Sequence, residues 1–480
     1  MIKKVANDTF YLLTSSLFGR FFGAIIGLLT AKVLGPSDFG ILKIINFLPK
    51  LSKFGSLGLA DVVKREIPHL RSQNINPKLE KKIKDVGFSW HVVWSVILSF
   101  FIFFISFLYN DSIIKYGLWI VSLTLFFNSL NKICFVLLSI DKNFKAISYT
   151  NALIVLSSSV FILVTIYSFK IYSILFAGLF SSIIGFIFLL RLSKISKIRF
   201  SYNKNELFRQ LKVGIWLSSG TIAFGVFSLT QRILILNFFN SEILGIYMLF
   251  IFIYEGLILL ANNFLRAITI DLYEKLSNID INKSVKNIIL KCSLFIGLIF
   301  PILSGLIVLI LPFFINIYFK EYNIINTSLF LLIPIITFET ASLLIRTTMN
   351  SRKINMQIQF AILYFLSTLV FILFLYVFNF FSSELYIAIL SRTFASISLF
   401  FGGFLLTRKY FFNSNYTFIK NILILLLPMF NVLFSILVIS YFDYYNIIIK
   451  LFFYILLIFP ITYIYSKKLK LRYVFNKIIN

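Results

Sequence analysis

Hydrophobic residues fall along this chain in long unbroken runs, not in the short periodic stripes of a soluble fold. Fourteen runs reach roughly 20 residues, the length an α-helix needs to cross the hydrocarbon core of a bilayer. They cover 9–33, 40–63, 87–109, 116–140, 146–168, 171–190, 213–238, 243–264, 291–315, 327–349, 357–379, 384–407, 420–441 and 447–466. The pattern predicts an all-α polytopic membrane protein with about fourteen transmembrane helices. The second run is the least apolar. From Leu34 to Lys64 the chain reads LGPSDFGILKIINFLPKLSKFGSLGLADVVK, opening on a Gly35-Pro36 turn. Lys43, Asn46, Lys50, Lys53, Asp61 and Lys64 recur there at helical spacing, which puts them on one face. Charge at bilayer depth is costly, so such a face is expected to line a watery cavity. The competing picture is a bent, half-interfacial helix with solvated lysines, because Pro49, Gly55 and Gly58 invite a bend.

The polar links between runs alternate in charge. Lys3 and Lys4 precede the first run; Lys64 to Lys84, Arg191 to Lys212, Arg266 to Lys291 and Lys467 to Lys477 are basic. Opposite links hold only isolated lysines such as Lys32, Lys115, Lys170, Lys320 and Lys450. By the positive-inside rule both termini are expected in the cytoplasm, with the protein in the cell membrane. Composition adds one exclusion. A chain of 480 residues that is 59% hydrophobic and 13% charged cannot hide its apolar surface in a water-soluble core. Its net charge of +28 then orients helices and attracts anionic lipid; it is not a nucleic-acid footprint. The first run is too long for a cleavable signal and should stay as a helix. The segment 203–212, with Glu206, Leu207, Phe208 and Leu211, could form a short interfacial helix.

An internal echo sets the expected domains. Leu34-Gly35-Pro36-Ser37-Asp38-Phe39-Gly40-Ile41 is answered 205 residues later by Phe239-Asn240-Ser241-Glu242-Ile243-Leu244-Gly245-Ile246. Six helices per half gives two parallel six-helix halves, 1–200 and 201–412, with 413–480 as two appended helices and a basic tail. Substrate in such folds sits between the halves.

Deep charges are the candidate chemistry. Arg20 lies mid-helix beside the Gly19, Gly23 and Gly27 stripe, whose simplest role is close helix packing. Arg20, Lys43, Asn46, Lys50 and Lys53 form the expected substrate-binding set. Glu255 and Glu339 are the only deep carboxylates and candidates for ion coupling, or for a salt bridge to a lysine across the cavity. Lys132, Arg232 and Arg392 complete the list, Lys132 with Asp141 as a conceivable partner and Arg232 at snorkelling depth. Tyr247, Tyr254 and Trp216 could stack on sugars. His69, His91, Cys134 and Cys292 have no metal-ligand or dyad spacing, and no phosphate-binding GxxxxGK[ST] loop occurs. No metal, no cofactor and no enzymatic activity are expected.

AKVLGPSDFGIL (Ala31–Leu42), FGSLGLADVVKREIP (Phe54–Pro68) and the echo at Gly245-Ile246-Tyr247 resemble the polysaccharide-exporting, lipid-linked oligosaccharide flippases, O-antigen flippases among them. That family sits with MATE transporters and lipid II flippases. The resemblance implies translocation of a polyprenyl-diphosphate-linked oligosaccharide from the inner to the outer leaflet, by alternating access, for O-antigen, capsule or exopolysaccharide assembly. It implies membrane lipids, a glycan polymerase and glycosyltransferases as partners. A MATE-like ion-coupled exporter of small molecules is the alternative. A membrane glycan polymerase is weaker still, since no long external loop is available for catalytic groups.

Overall fold

A computed structural model describes residues 2–48, 57–72, 77–141, 143–192, 200–276, 283–341, 354–378, 383–411, 415–440 and 447–469. Every regular element among them is helical. In chain order they are α1 (Ile2–Ile45), α2 (Leu59–Ser72), α3 (Pro77–Ile105), α4 (Ser112–Ile140), α5 (Phe144–Phe169), α6 (Ile171–Leu192), α7 (Lys204–Phe238), α8 (Ser241–Leu276) and α9 (Lys283–Tyr318). Then come α10 (Lys320–Ala341), 3₁₀ in its first part, and α11 (Ile354–Phe378), α12 (Glu384–Phe411), α13 (Asn415–Ser440) and α14 (Ile447–Leu469). Among the described residues, twelve helices are long and apolar enough to cross a membrane; Ile447–Pro460 is a shorter apolar helix.

The second expected span is where the structure differs. α1 continues through a break at Gly35 (φ 71°) and runs to Ile45. No single helix follows to residue 63: Leu57 (φ 45°) and Gly58 (φ 77°) are left-handed, and α2 starts fresh at Leu59. Two consecutive left-handed residues cannot sit inside a right-handed helix. The six polar residues therefore do not share one continuous helical face. Lys43 ends α1, Asn46 lies in the following turn, and Asp61 and Lys64 belong to α2. Lys50 and Lys53 lie outside the described residues.

Turn chemistry explains the other boundaries. Asp111 caps α4 by accepting from the Ile113 and Ile114 N–H groups, at 2.7 and 3.3 Å. Asn143 caps α5 and Asn240 caps α8 in the same way. The echoed sequence thus marks a helix break twice, at Gly35 and at Asn240. Asn203 caps α7 through the Glu206 N–H. The segment 203–212 is therefore the first three turns of a transmembrane helix, not a separate interfacial one; buried Leu207 packs with Leu59 and Val86.

The chain divides into two compact units, 1–229 and 230–480, and the division falls inside α7. In the first unit, Ile26, Leu29 and Val33 of α1 pack on Ile162, Ile166 and Ala177 of α5 and α6. The apolar side of α2, with Ala60, Val63 and Ile67, packs on Ile83, Val136 and Ile140. Here α2 and α7 touch backbone to backbone. A Cβ on Gly58 would overlap the Gly214 carbonyl, and one on Gly214 would lie 2.5 Å from the Leu57 oxygen.

Ion pairs bind the rim of this unit. Arg209 bridges Glu66 of α2 and Glu206 of its own helix, each at 2.7 Å. Arg71 reaches Glu80 at 2.8 Å, Asp141 at 3.1 Å and the Ile140 carbonyl at 3.2 Å. Its hydrogen bond to Glu80 raises the guanidinium above its ordinary range. Asp141, the conceivable partner of Lys132, is thus occupied by Arg71.

In the second unit α13 and α14 pack on α9, and side chains that donate to backbone carbonyls join α13 to α14 and α14 to α9. Pro428 has no N–H, which leaves the Ile424 carbonyl without its helical donor; the Tyr465 hydroxyl donates to that carbonyl. Pro460 disturbs α14 likewise, and Asn431 donates to the nearby Leu457 carbonyl at 3.4 Å. The Tyr454 hydroxyl donates to the Ile302 carbonyl at 2.8 Å, in a notch that exists because residue 305 is glycine. In hydrocarbon no water is at hand to fill these roles.

Candidate functional site

Arg20 sits fifteen residues before the Gly35 break, about 22 Å along α1 by helical rise. Its side chain is half-buried. The glycines beside it divide the labour. A Cβ on Gly19 would press Val155 of α5 at 3.3 Å, so that side is packed. Gly23 has open space beyond it. Arg20 therefore stands at the edge between a packed and an open surface. Lys43 is half-buried too, its ammonium 4.6 Å from the centroid of the Phe39 ring. That contact partly offsets desolvation while keeping the charge. Asn46 is half-buried in the turn after α1, its N–H donating to the Leu42 carbonyl at 2.8 Å.

The two deep carboxylates are in opposite situations. Glu255 on α8 is exposed, and its neighbour Gly256 faces open space. Glu255 lies fourteen residues, about 21 Å, from the start of α8, near the middle of a span. An exposed carboxylate at that depth needs water around it. Glu339 is buried. Its Oε1 accepts from Arg392 Nη2 at 2.5 Å and from Ser396 Oγ at 2.9 Å, and its Oε2 accepts from the Tyr254 hydroxyl. Arg392 also donates to the Tyr254 oxygen at 3.3 Å, with its guanidinium 5.4 Å from the Tyr254 ring centroid. Three helices, α8, α10 and α12, thus meet on one carboxylate. The salt bridge is to an arginine within the same unit, not to a lysine across a cavity.

Two aromatic candidates for sugar stacking are removed by burial. Tyr247 is 1% exposed, its hydroxyl donating to Gln231 Oε1 at 3.0 Å, and Tyr254 is 5% exposed inside the Glu339 network. Trp216 is exposed. Arg232 is 6% exposed and does not snorkel. Sequence reasoning missed Tyr254 and Ser396 as partners of Glu339. No spacing rule joins residues 57 and 85 positions apart; only the hydroxyl types hinted at it. His91 is buried in α3, where Nε2 donates to the Ser129 carbonyl at 2.7 Å. Among the described residues no group of His, Cys, Asp and Glu side chains could hold a metal ion.

Buried and half-buried charges on long apolar helices, in two compact units, define a polytopic membrane protein. The chain superposes on the lipid II flippase MurJ in an inward closed conformation with a TM-score of 0.67 at 17% identity, covering 96% of this chain and 99% of that one. A multidrug resistance MATE family transporter of the MOP superfamily, outward-facing, gives 0.56 at 13% identity over 85% and 95%. A single-site mutant of the Vibrio cholerae MATE transporter VcmN gives 0.52 at 12% identity over 87% and 98%. These likenesses are of fold. No curated protein sequence matches the chain significantly. A family model described as "Polysaccharide biosynthesis protein" matches residues 29–325, more than half of the chain, and the chain belongs to that family.

Proposed function

We propose that this protein is a flippase that moves a polyprenyl-diphosphate-linked oligosaccharide from the inner to the outer leaflet of the cell membrane. The glycan would serve surface polysaccharide assembly, as O-antigen, capsule or exopolysaccharide. Membership of the polysaccharide biosynthesis family carries the reading. The half-buried cations Arg20 and Lys43 support it, because a diphosphate is the natural counter-charge for cations held at bilayer depth. Arg20, Lys43 and Asn46, with Lys50 and Lys53, form the substrate-binding set of a cationic cavity that opens to each side in turn. Both termini lie in the cytoplasm in this reading, where the basic links meet anionic lipid. A glycan polymerase and glycosyltransferases are its working partners.

Ion coupling is assigned to the deep carboxylates, Glu255 before Glu339. Glu255 is exposed and can take a proton or cation, whereas Glu339 already has a tethered counter-charge in Arg392. The same exposed acid favours a second reading, a MATE-like ion-coupled exporter of small molecules. Proteoliposomes separate the two. The flippase reading expects a labelled lipid-linked oligosaccharide to change leaflet, with the rate lost in Arg20→Ala. Movement of a small organic cation alone would support the exporter and overturn the flippase.

A further inference from the structure

Helix α10 changes its winding partway along. Its first 12 residues, Lys320–Leu331, form a 3₁₀-helix, and only the stretch from Leu332 to Ala341 is α-helical. A 3₁₀ run longer than three or four residues is uncommon, because its hydrogen bonds are poorly aligned. The 3₁₀ turn that follows α3, Ser106–Leu108, has 3 residues. Something besides the backbone therefore holds the longer run in its extended winding.

Packing and two fixtures do so. Tyr322, Ile325, Ser328 and Leu331 are buried at a spacing of three, while Glu321, Ile324 and Thr327 are exposed. Side chains three apart eclipse in a 3₁₀-helix; in an α-helix each such step falls back by about 60°, and Leu331 would end opposite Tyr322. Towards the Lys320 end, Asn326 Nδ2 donates to Asn316 Oδ1 of α9 at 2.9 Å. Towards the Ala341 end, Glu339 is gripped by Arg392, Ser396 and Tyr254. Hydroxyls show what the extended winding costs. In the α-helical part, Thr337 and Thr340 donate to the carbonyls four residues back, at 2.7 and 2.8 Å. In the 3₁₀ part, Thr327 reaches the Ile324 carbonyl three residues back at 2.8 Å, and the fully buried Ser328 Oγ finds no hydrogen-bond partner among the described residues. An unpaired buried hydroxyl is costly, and α winding brings the Ile324 carbonyl, four residues back, within reach of Ser328.

We propose that residues 320–331 are an extensible segment that winds between 3₁₀ and α while Glu339 stays fixed. The rise per residue falls from about 2.0 to about 1.5 Å, so full winding shortens the segment by about 6 Å, close to one α-helical turn. The pull falls on the turn between α9 and α10 and parts Asn326 from Asn316. A one-turn step is the scale on which packed helices ratchet between discrete arrangements. The inference concerns how the second unit moves and holds whichever cargo is carried.

The test is pulsed electron–electron resonance on the purified full chain in lipid nanodiscs, with Cys134 and Cys292 changed to alanine. Helices α10 and α12 run side by side in one direction, since Phe330 meets the Tyr386 ring and Phe338 meets the Phe400 ring. Spin labels at the exposed positions Glu321→Cys and Leu405→Cys therefore report the length of α10, and labels at Glu384→Cys and Leu405→Cys lie on α12 alone as a reference. Wild type should show mainly the longer 321–405 distance. Asn326→Ala and Asn316→Ala each remove the fixture and should add a population shorter by about 5 Å. Ser328→Ala removes the unpaired hydroxyl and should leave the longer distance dominant. The reference distance should stay constant throughout. If Asn326→Ala does not fold, Asn316→Ala breaks the same bond from the other helix. An unchanged 321–405 distribution in both asparagine variants, or an equal shift in the reference pair, overturns the extensible segment. None of these distances depends on the flippase reading, which stands or falls on the proteoliposome assay.

Discussion

The two units treat charge in opposite ways. In the first, ion pairs lie at the rim: the side chains of Arg71 and Arg209 are 41% and 44% exposed, in contact with water and salt. In the second, the Arg392–Glu339 pair is 4% and 10% exposed, inside the helix packing. Exposed pairs are screened and add little, whereas a buried pair becomes expensive once one partner is removed. The Arg71–Asp141 pair, exposed on both sides, can therefore break and re-form at small cost, and the inner pair cannot. Tightness in the first unit comes instead from backbone contact, at Gly58 and Gly214. The first unit should tolerate loss of its exposed charges and fail on added volume at Gly58 and Gly214, whereas the second should fail on loss of one partner of its buried pair.

The largest effect belongs to the glycine contact. Gly214→Val places a branched side chain against the Leu57 carbonyl, and Gly58 cannot retreat without leaving its left-handed conformation. Destabilisation above about 4 kcal/mol is expected, seen as loss of monodisperse protein in fluorescence-detected size exclusion. A well-folded Gly214→Val protein would remove the claim that backbone contact holds this unit together.

Next comes the buried pair. Arg392→Ala strands Glu339 and should destabilise by about 3–5 kcal/mol in detergent unfolding. The double change Glu339→Leu with Arg392→Met should recover most of that loss, because two charges then leave the interior together. A double variant as unstable as the single one would mean that the pair is not what matters there.

A smaller step tests the proline bends. Tyr465→Phe leaves the Ile424 carbonyl without a donor beside Pro428, and about 1–3 kcal/mol should be lost. Comparing Tyr465→Phe with Tyr454→Phe by thermal melting separates this carbonyl from that of Ile302.

The smallest effect belongs to the rim. Arg71→Ala should lower stability by about 1 kcal/mol or less, and the difference should shrink between low and high salt as exposed charges are screened. A large, salt-independent loss would show that Arg71 acts through its bond to the Ile140 carbonyl.

Much of the fold was legible because bilayer thickness acts on sequence directly. Thirteen of the fourteen apolar runs coincide with described helices, though several helices run well past the expected ends, as α7 does back to Lys204 and α8 on to Leu276. The exception, 40–63, fails for a local reason: left-handed Leu57 and Gly58 end the helical register, and hydropathy does not see backbone angles. The candidate site was legible by depth but not by partner. A long apolar run flags Arg20, Glu255 and Glu339 as unusual. It cannot say that Glu339 meets Arg392 and Ser396 on another helix while Glu255 stays exposed. Aromatic content misled in the same way. Tyr247 and Tyr254 look like sugar platforms in sequence, yet their hydroxyls serve interior hydrogen bonds.

The most direct test of the cationic site is made in cells lacking the gene, supplied with wild type, Arg20→Ala or Lys43→Ala at matched protein level. The quantity measured is the fraction of lipid-linked oligosaccharide that an impermeant label reaches from outside. Restoration by wild type, with the oligosaccharide left on the cytoplasmic side in both variants, is the expected result. Full labelling in both variants, or in cells without the gene, would contradict it.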